Sequence, residues 1–469
     1  MDVRYSRNSV TLKRISMNVL CLYAMAYPLT AYLFMDGSKI GTIIVQAFQI
    51  LPILAVGYLW KFRRKTGSLK SYIDVWTISI VYFCGAAVYF ALFYAKENPF
   101  IEIVYAARFL SWFWLAATFK RIDLGPAFLE RLAKSFWIGA AIQCLLAVWG
   151  KVWGLQNGLA SPYSNVEATT GSANVSGKTV VSFIVVWIAL SLYWLIVKRG
   201  KRALYGAGVL GGVAVVLFSY NRASQLGLLV AYCVAVLACV RKRRFKAAAV
   251  LLGTLAVGGA FFISSYGNKF LTRWETVAFD EGSGRVEMIE IAARCVTSPP
   301  STGVFWCGRG VYQMNEMMYE EIGSRIGMHN DLLDFMIVYG AVGFALCAWA
   351  MYSILNFRKL TPRFSIENYF VCSISVFAVL IGLCTGMFQA TYLYYMLISA
   401  QCYFISQARL RANVMERERL MNEEAFWCEE GVELDDEVEN DDRIDDTDYI
   451  DEQEKTYWAR RGYWAPNYD

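Results

Sequence analysis

Residues 328–356 read MHNDLLDFMIVYGAVGFALCAWAMYSILN, a polar head that holds the chain's single histidine and runs straight into an uncharged apolar stretch. About 20 apolar residues at 1.5 Å rise cross roughly 30 Å of hydrocarbon, so 337–356 reads as a membrane span with a polar motif at its mouth. The pattern recurs along the chain. Twelve spans are expected, near 17–35, 41–60, 75–95, 100–119, 135–153, 179–197, 203–221, 223–240, 247–264, 337–356, 369–386 and 388–406. Composition points the same way, with 57% hydrophobic residues, 18% charged and a mean hydropathy of +0.37; a soluble domain carries about 45–50% apolar residues. The fold class expected is an all-α polytopic membrane protein.

Basic clusters set the orientation, because Lys and Arg collect on the cytoplasmic side. Lys13/Arg14, Lys61/Arg63/Arg64/Lys65, Lys120/Arg121, Lys198/Arg199/Lys201/Arg202, Arg241/Lys242/Arg243/Arg244 and Arg358/Lys359/Arg363 all fall at one face. Both termini are therefore expected in the cytoplasm. The first span lacks a small-residue cleavage site and reads as a retained helix. Four regions follow: spans 1–9 over 1–264, a large outer loop over 265–336, spans 10–12 over 337–410, and a tail over 411–469. Within the tail, 429–453 is dense in Asp and Glu and reads as a solvated, disordered extension. Most of the 12 cysteines, such as Cys21, Cys84, Cys233 and Cys372, sit in spans and act as small apolar residues. Cys295 and Cys307 share the outer loop, where a bridge is open to them.

Chemistry is expected in the outer loop and at one hairpin. In Ser219-Tyr220-Asn221-Arg222 the chain turns on the outer side, which places an arginine against the positive-inside bias. Interface anchoring and a functional role both fit it. In the loop, Ser283 is a suitable N-cap for a helix whose apolar positions are Val286, Ile289, Ala293 and Val296, and Arg285 stands in its first turn. Such a terminus attracts anions, and a guanidinium there grips phosphate oxygens. Cys307-Gly308-Arg309-Gly310 makes a tight turn before the polar run to His329. Trp274, Trp306, Tyr312 and Tyr319 suit sugar stacking or interfacial anchoring equally. No internal repeat, phosphate-binding glycine loop, zinc spacing or Ser-His-Asp arrangement is present.

Taken in order, Ser-x-Asn-Arg222, Ser283-Gly284-Arg285-Val286-Glu287, Gly308-Arg309-Gly310 and His329-Asn330 ahead of Gly340 resemble the O-antigen ligase and O-antigen polymerase superfamily, over roughly 135–356. Thr170 to Asn174 resembles a glycine-asparagine element of that family more weakly. The resemblance implies a GT-C-like membrane glycosyltransferase that takes an undecaprenyl-diphosphate-linked glycan on the outer face of the bacterial cytoplasmic membrane, with no nucleotide sugar, metal or other cofactor. Carried over by position, Arg222 and Arg285 face the donor diphosphate and His329 the acceptor hydroxyl. Arg309, Asn330, Asp331, Asp334 and Asn174 are the substrate-binding candidates. One departure stands out: Val338 occupies a place where the family commonly has an acidic residue, and Asp331 or Asp334 is available in its stead.

The residue types suit that chemistry. Guanidiniums stay protonated and stabilise the charge that develops on a departing diphosphate. A neutral imidazole, ordinarily with a pKa near 6.5, accepts the proton of an attacking sugar hydroxyl. Within the superfamily, a polymerase joins lipid-linked repeat units into capsule, exopolysaccharide or O-antigen, whereas a ligase moves the glycan to a lipid or protein; the His-Asn-Asp form favours the polymerase. A transporter is the remaining class, but transporters gather polar residues at mid-membrane. Glu102 and Arg108 in the fourth span are the best transporter-like residues, and are expected to pair with neighbouring spans or line an acceptor cavity. The partners expected are the lipid-linked glycan and membrane lipid, with a chain-length regulator and a flippase by family analogy and no nucleic acid.

Overall fold

The computed structural model describes residues 7–34, 39–62, 74–95, 98–122, 124–156, 177–198, 200–218, 222–263, 289–294, 302–322, 330–385 and 391–429. Among these the chain is helical, with no strand. That outcome follows from composition, because backbone at membrane depth has no water to bond and an α-helix satisfies its own N–H and C=O groups. The first nine helices are α1 (Arg7–Phe34), α2 (Lys39–Leu59), α3 (Val75–Phe93), α4 (Phe100–Arg121), α5 (Pro126–Gln156), α6 (Gly177–Val197), α7 (Arg202–Phe218), α8 (Arg222–Arg241) and α9 (Phe245–Ile263). After a short helical stretch at 289–294 come α10 (Thr302–Cys307), α11 (Gly310–Ile322), α12 (Asp331–Asn356), α13 (Ile366–Thr385) and α14 (Thr391–Glu429).

Each of the twelve expected spans falls on one of α1–α9 or α12–α14. Among the described residues, six helices are long and apolar enough to cross a membrane: Val75–Phe93, Phe100–Phe119, Pro126–Trp149, Ala223–Arg241, Asp331–Leu360 and Ile366–Cys384. Four more are apolar but shorter: Ala47–Phe62, Ser182–Val197, Arg202–Leu217 and Phe245–Ala260. Helix boundaries depart from the expected spans where charged ends extend them. α5 starts at Pro126, a residue suited to a first helical turn, and its Glu130 pairs with Lys134 and Lys198, each at 2.7 Å. α14 continues far past 406 because 407–427 is rich in Ala, Arg, Leu, Met and Glu, all good helix formers. Residues 411–429 of the expected tail therefore belong to this helix, and the acidic run beyond 430 lies outside the described residues.

α14 is central. It packs on α4, α5, α6 and α13, and Tyr392, Leu393, Tyr394, Tyr395, Met396, Leu397 and Ile398 are all buried. Burial on every side marks a helix surrounded by others. Its aromatic upper half stacks Tyr392 on Tyr27 with ring centroids 4.7 Å apart, and Tyr394 on Trp112 at 4.2 Å. Apolar burial gives little drive between helices in lipid, so polar side chains join them. Trp194 Nε1 donates to Tyr403 Oη at 2.8 Å, Gln401 Nε2 to Ser375 Oγ at 2.7 Å, and Tyr193 Oη to Glu367 Oε1 at 2.8 Å. Glu367 is buried and also takes Arg411 at 2.9 Å. Because a lost hydrogen bond to a buried carboxylate costs about 1–3 kcal/mol, Tyr193→Phe is expected to lower stability by that order. Chemical unfolding in detergent, followed by circular dichroism, measures it.

Candidate active site

From the region expected as the outer loop, α10 and α11 pack on α12. That helix is interrupted at Gly340, which has φ 68° and ψ −167°. Two carbonyls beside the break accept bonds from outside the helix. The Arg309 N–H donates to Ile337 O at 3.1 Å, and Tyr82 Oη of α3 donates to Tyr339 O at 2.8 Å. The turn between α10 and α11 lies directly on the break. Gly308, at φ +83°, faces the backbone of Val338 and Tyr339, and Gly340 faces the backbone of Trp306 and Cys307. A Cβ at either glycine would run into the other segment's main chain. Only glycine allows both the positive φ and that approach.

Upstream of the break, Asn330 caps α12: its Oδ1 accepts from Leu332 N at 3.0 Å and Leu333 N at 3.2 Å. Asn330 was expected as a substrate contact; its side-chain oxygen is engaged in the cap, which fixes the chain direction immediately after residue 329. Asp331 and Asp334 occupy the first turn, where the helix dipole favours acidic side chains, and both are buried. Asp331 Oδ2 accepts from Tyr394 Oη at 2.9 Å. Asp331 also borders a small cavity whose other walls include Trp112, Phe335 and Cys347. Both carboxylates thus face the helix bundle. Val338 is fully buried, so that position forms part of the wall against which Gly308 packs.

The other expected site residues are spread more widely. Arg309 is half-buried in the turn. Arg222 is the first residue of α8, followed by buried Ser224 and Gln225. His329, Arg285 and Asn174 lie outside the described residues, as do Trp274 and Cys295; Cys307 is a free, exposed thiol. Asn330, Asp331 and Asp334 open α12, and Arg309 meets the same helix farther along, where its N–H bonds Ile337 O. Arg285, His329 and the side chain of Arg222 lie outside what the structure describes.

The loop helix expected from Ser283 onward is described only over 289–294, and there its inward face differs from the expected stripe. Ile291 and Ala292 are buried, whereas Ile289 and Ala293 are exposed. On the solvent side Arg294 pairs with Glu321 of α11 at 3.0 Å. No group of His, Cys, Asp or Glu arranged to hold a metal ion occurs among the described residues.

Glu102 is the residue whose role the sequence left open between a neighbouring span and an acceptor cavity. It is fully buried, and its carboxylate bonds the backbone of the loop helix α11: Oε2 accepts from Val311 N at 3.0 Å and Oε1 from Tyr312 N at 2.8 Å. The signal that could have singled it out is an acidic side chain inside an apolar span. Arg108 is half-buried over the ring of Tyr105, with its guanidinium carbon 5.7 Å from the centroid, and its carbonyl accepts from Thr391 Oγ1 at 3.0 Å.

The interlock makes a direct prediction. Gly340→Ala adds backbone strain of about 1–3 kcal/mol for an L-residue at positive φ with extended ψ and a steric conflict with Trp306. The variant is expected to unfold at lower denaturant than the wild type and to be cut faster by protease between residues 302 and 309.

No individual curated protein matches the chain. Residues 206–348, from α7 through the outer loop to the middle of α12, match the model of the O-antigen ligase family, and over this part, which contains Arg222, Arg309, Asn330 and Gly340, the chain is similar to the O-antigen polymerase and ligase superfamily.

Proposed function

We propose that this protein is a glycosyltransferase that polymerises undecaprenyl-diphosphate-linked oligosaccharide repeats into a surface polysaccharide (capsule, exopolysaccharide or O-antigen) on the outer face of the bacterial cytoplasmic membrane. The observation that carries this reading is the O-antigen ligase match over 206–348, since it coincides with the ordered arginine, glycine-turn and histidine motifs. On this reading the fold is of the GT-C kind with twelve spans. Regions 1–264 and 337–410 are the membrane parts, 265–336 is the catalytic loop, and both termini lie in the cytoplasm with 411–469 as a cytoplasmic extension.

The reaction is a single displacement. An acceptor sugar hydroxyl attacks the anomeric carbon of the donor, the bond from that carbon to the diphosphate oxygen breaks, and undecaprenyl diphosphate leaves with the electron pair. Inversion at the anomeric carbon follows. His329 takes the hydroxyl proton, and Arg222 and Arg285 hold the charge that grows on the leaving diphosphate. Their guanidiniums supply the positive charge needed there, so the reading calls for neither a metal nor another cofactor. Arg309, Asn330, Asp331, Asp334 and Asn174 then contribute to substrate placement. For the two aspartates and Asn330, buried or capping positions at the start of α12 support an indirect form of that role: they set the path of the chain next to residue 329. A flippase and a chain-length regulator are the pathway partners this reading implies.

A ligase is the second reading, and the description of the matched family favours it. The two differ in acceptor. Reconstitution of the purified protein in lipid with an undecaprenyl-diphosphate repeat unit as sole substrate separates them: a ladder of multiples marks a polymerase, whereas transfer that appears only after a lipid or protein acceptor is added marks a ligase. Absence of transfer in both conditions would sink the enzyme reading and favour a transporter. In the active condition, His329→Ala is expected to slow transfer by about 10²–10⁴-fold, the usual worth of positioned proton transfer. Arg222→Ala is expected to lose at least as much.

A further inference from the structure

We propose that Glu102 is a positioning residue, a carboxylate embedded in α4 that latches the outer-loop helix α11 to the membrane bundle and thereby seats the Gly308-Arg309-Gly310 turn on the break in α12. This role rests on the glycosyl-transfer reading for its consequence in catalysis, but the latch itself stands on geometry. The first N–H groups of any helix lack intrahelical partners. In α11 those of Val311 and Tyr312 are taken by the two oxygens of one side chain from a helix some two hundred residues earlier, at 3.0 and 2.8 Å. The arrangement is a helix cap supplied in trans. It also places the carboxylate at the positive end of the α11 dipole, the favourable end for a negative group.

Three further observations make the contact a latch. Glu102 is fully buried inside an apolar span. An acidic group there is expensive unless it is bonded, and the amides of α11 are what it bonds. Gly310 packs directly on it: a Cβ at that position would sit 2.8 Å from Glu102 Oε1 and 2.9 Å from Phe90 Cγ, so no larger residue fits beside the carboxylate. The apolar side of α11, with Val311, Met314 and Met318 buried, then lies against α12, α4 and α3, leaving Tyr319, Glu320 and Glu321 exposed. Finally, the residue immediately before this helix bonds the break in α12 through the Arg309 N–H and Ile337 O. From Glu102 the line of contacts runs through the α11 N-terminus and the Arg309 turn to α12, the helix that begins one residue after Asn330. Displacements near 1 Å far from the reacting atoms are enough to slow an enzyme strongly.

The test compares Glu102→Ala and Glu102→Gln with wild type in lipid, by hydrogen exchange and by steady-state transfer. Glutamine keeps the volume and one acceptor oxygen but points an amide N–H₂ at the second backbone donor, so it holds half the latch. The expected result is at least ten-fold faster exchange at the first amides of 310–322 in Glu102→Ala, a smaller increase in Glu102→Gln, and no change in α6 or α13. With it, kcat is expected to fall roughly ten-fold or more in Glu102→Ala while the KM for the lipid-linked donor stays within about two-fold, and Glu102→Gln is expected to recover part of the loss. Unchanged exchange at 310–322 would overturn the latch. Faster exchange with unchanged kcat would overturn the positioning role and leave a purely structural cap. A wild-type protein that transfers nothing would count against the glycosyl-transfer reading instead, and the exchange result alone would then decide whether Glu102 holds α11.

Discussion

A buried backbone that leaves the helical path must find partners for its polar groups, and α3, α10 and α11 meet α12 around one such break. Gly340 interrupts α12, and the carbonyls of Ile337 and Tyr339 beside it are bonded by the Arg309 N–H and the Tyr82 hydroxyl. Irregular backbone is tolerated inside a membrane where it is buried in protein. Here the covering protein is the Gly308-Arg309-Gly310 turn, whose own positive-φ glycine allows main chain to lie on main chain. The break and the turn are thus two halves of one joint.

The same rule governs the acidic side chains buried in the bundle. Glu102 is bonded by the amides of α11, Asp331 by the Tyr394 hydroxyl, Glu130 by Lys134 and Lys198, and Glu367 by Tyr193 and Arg411. They differ in the kind of partner: Glu130 and Glu367 meet cationic side chains, whereas Glu102 is bonded by backbone amides and Asp331 by a tyrosine hydroxyl.

On the proposed glycosyl-transfer reading, the loop would accept substrates of repeating structure while the groups that act on the anomeric carbon stay fixed relative to the membrane. Anchoring α11 to α4 and the turn to α12 provides such fixed points, with the cap at Asn330 setting where the chain enters α12.

By itself the sequence determined the class and the placement of the helices, because apolar runs of about 20 residues leave a chain little choice but helix. Through its resemblance to a family it also marked the Gly-Arg-Gly turn, the histidine motif and Gly340 as one set. What it did not contain is which backbone groups meet. It did not show that Asn330 caps α12, that Asp331 and Asp334 are buried beside it, or that Glu102, left open between pairing with a neighbouring span and lining an acceptor cavity, bonds a loop helix. Along 289–294 the buried positions, Ile291 and Ala292, differ from the expected stripe, since a short apolar stripe is ambiguous until tertiary packing chooses its face. These outcomes depend on contacts between residues far apart in the chain, and hydrophobic periodicity records only which residues avoid water. Only the tertiary structure decided that Glu102 and Val311, distant in sequence, share a hydrogen bond, because that depends on how α3, α4 and α12 pack and on where the break in α12 lets the turn come down.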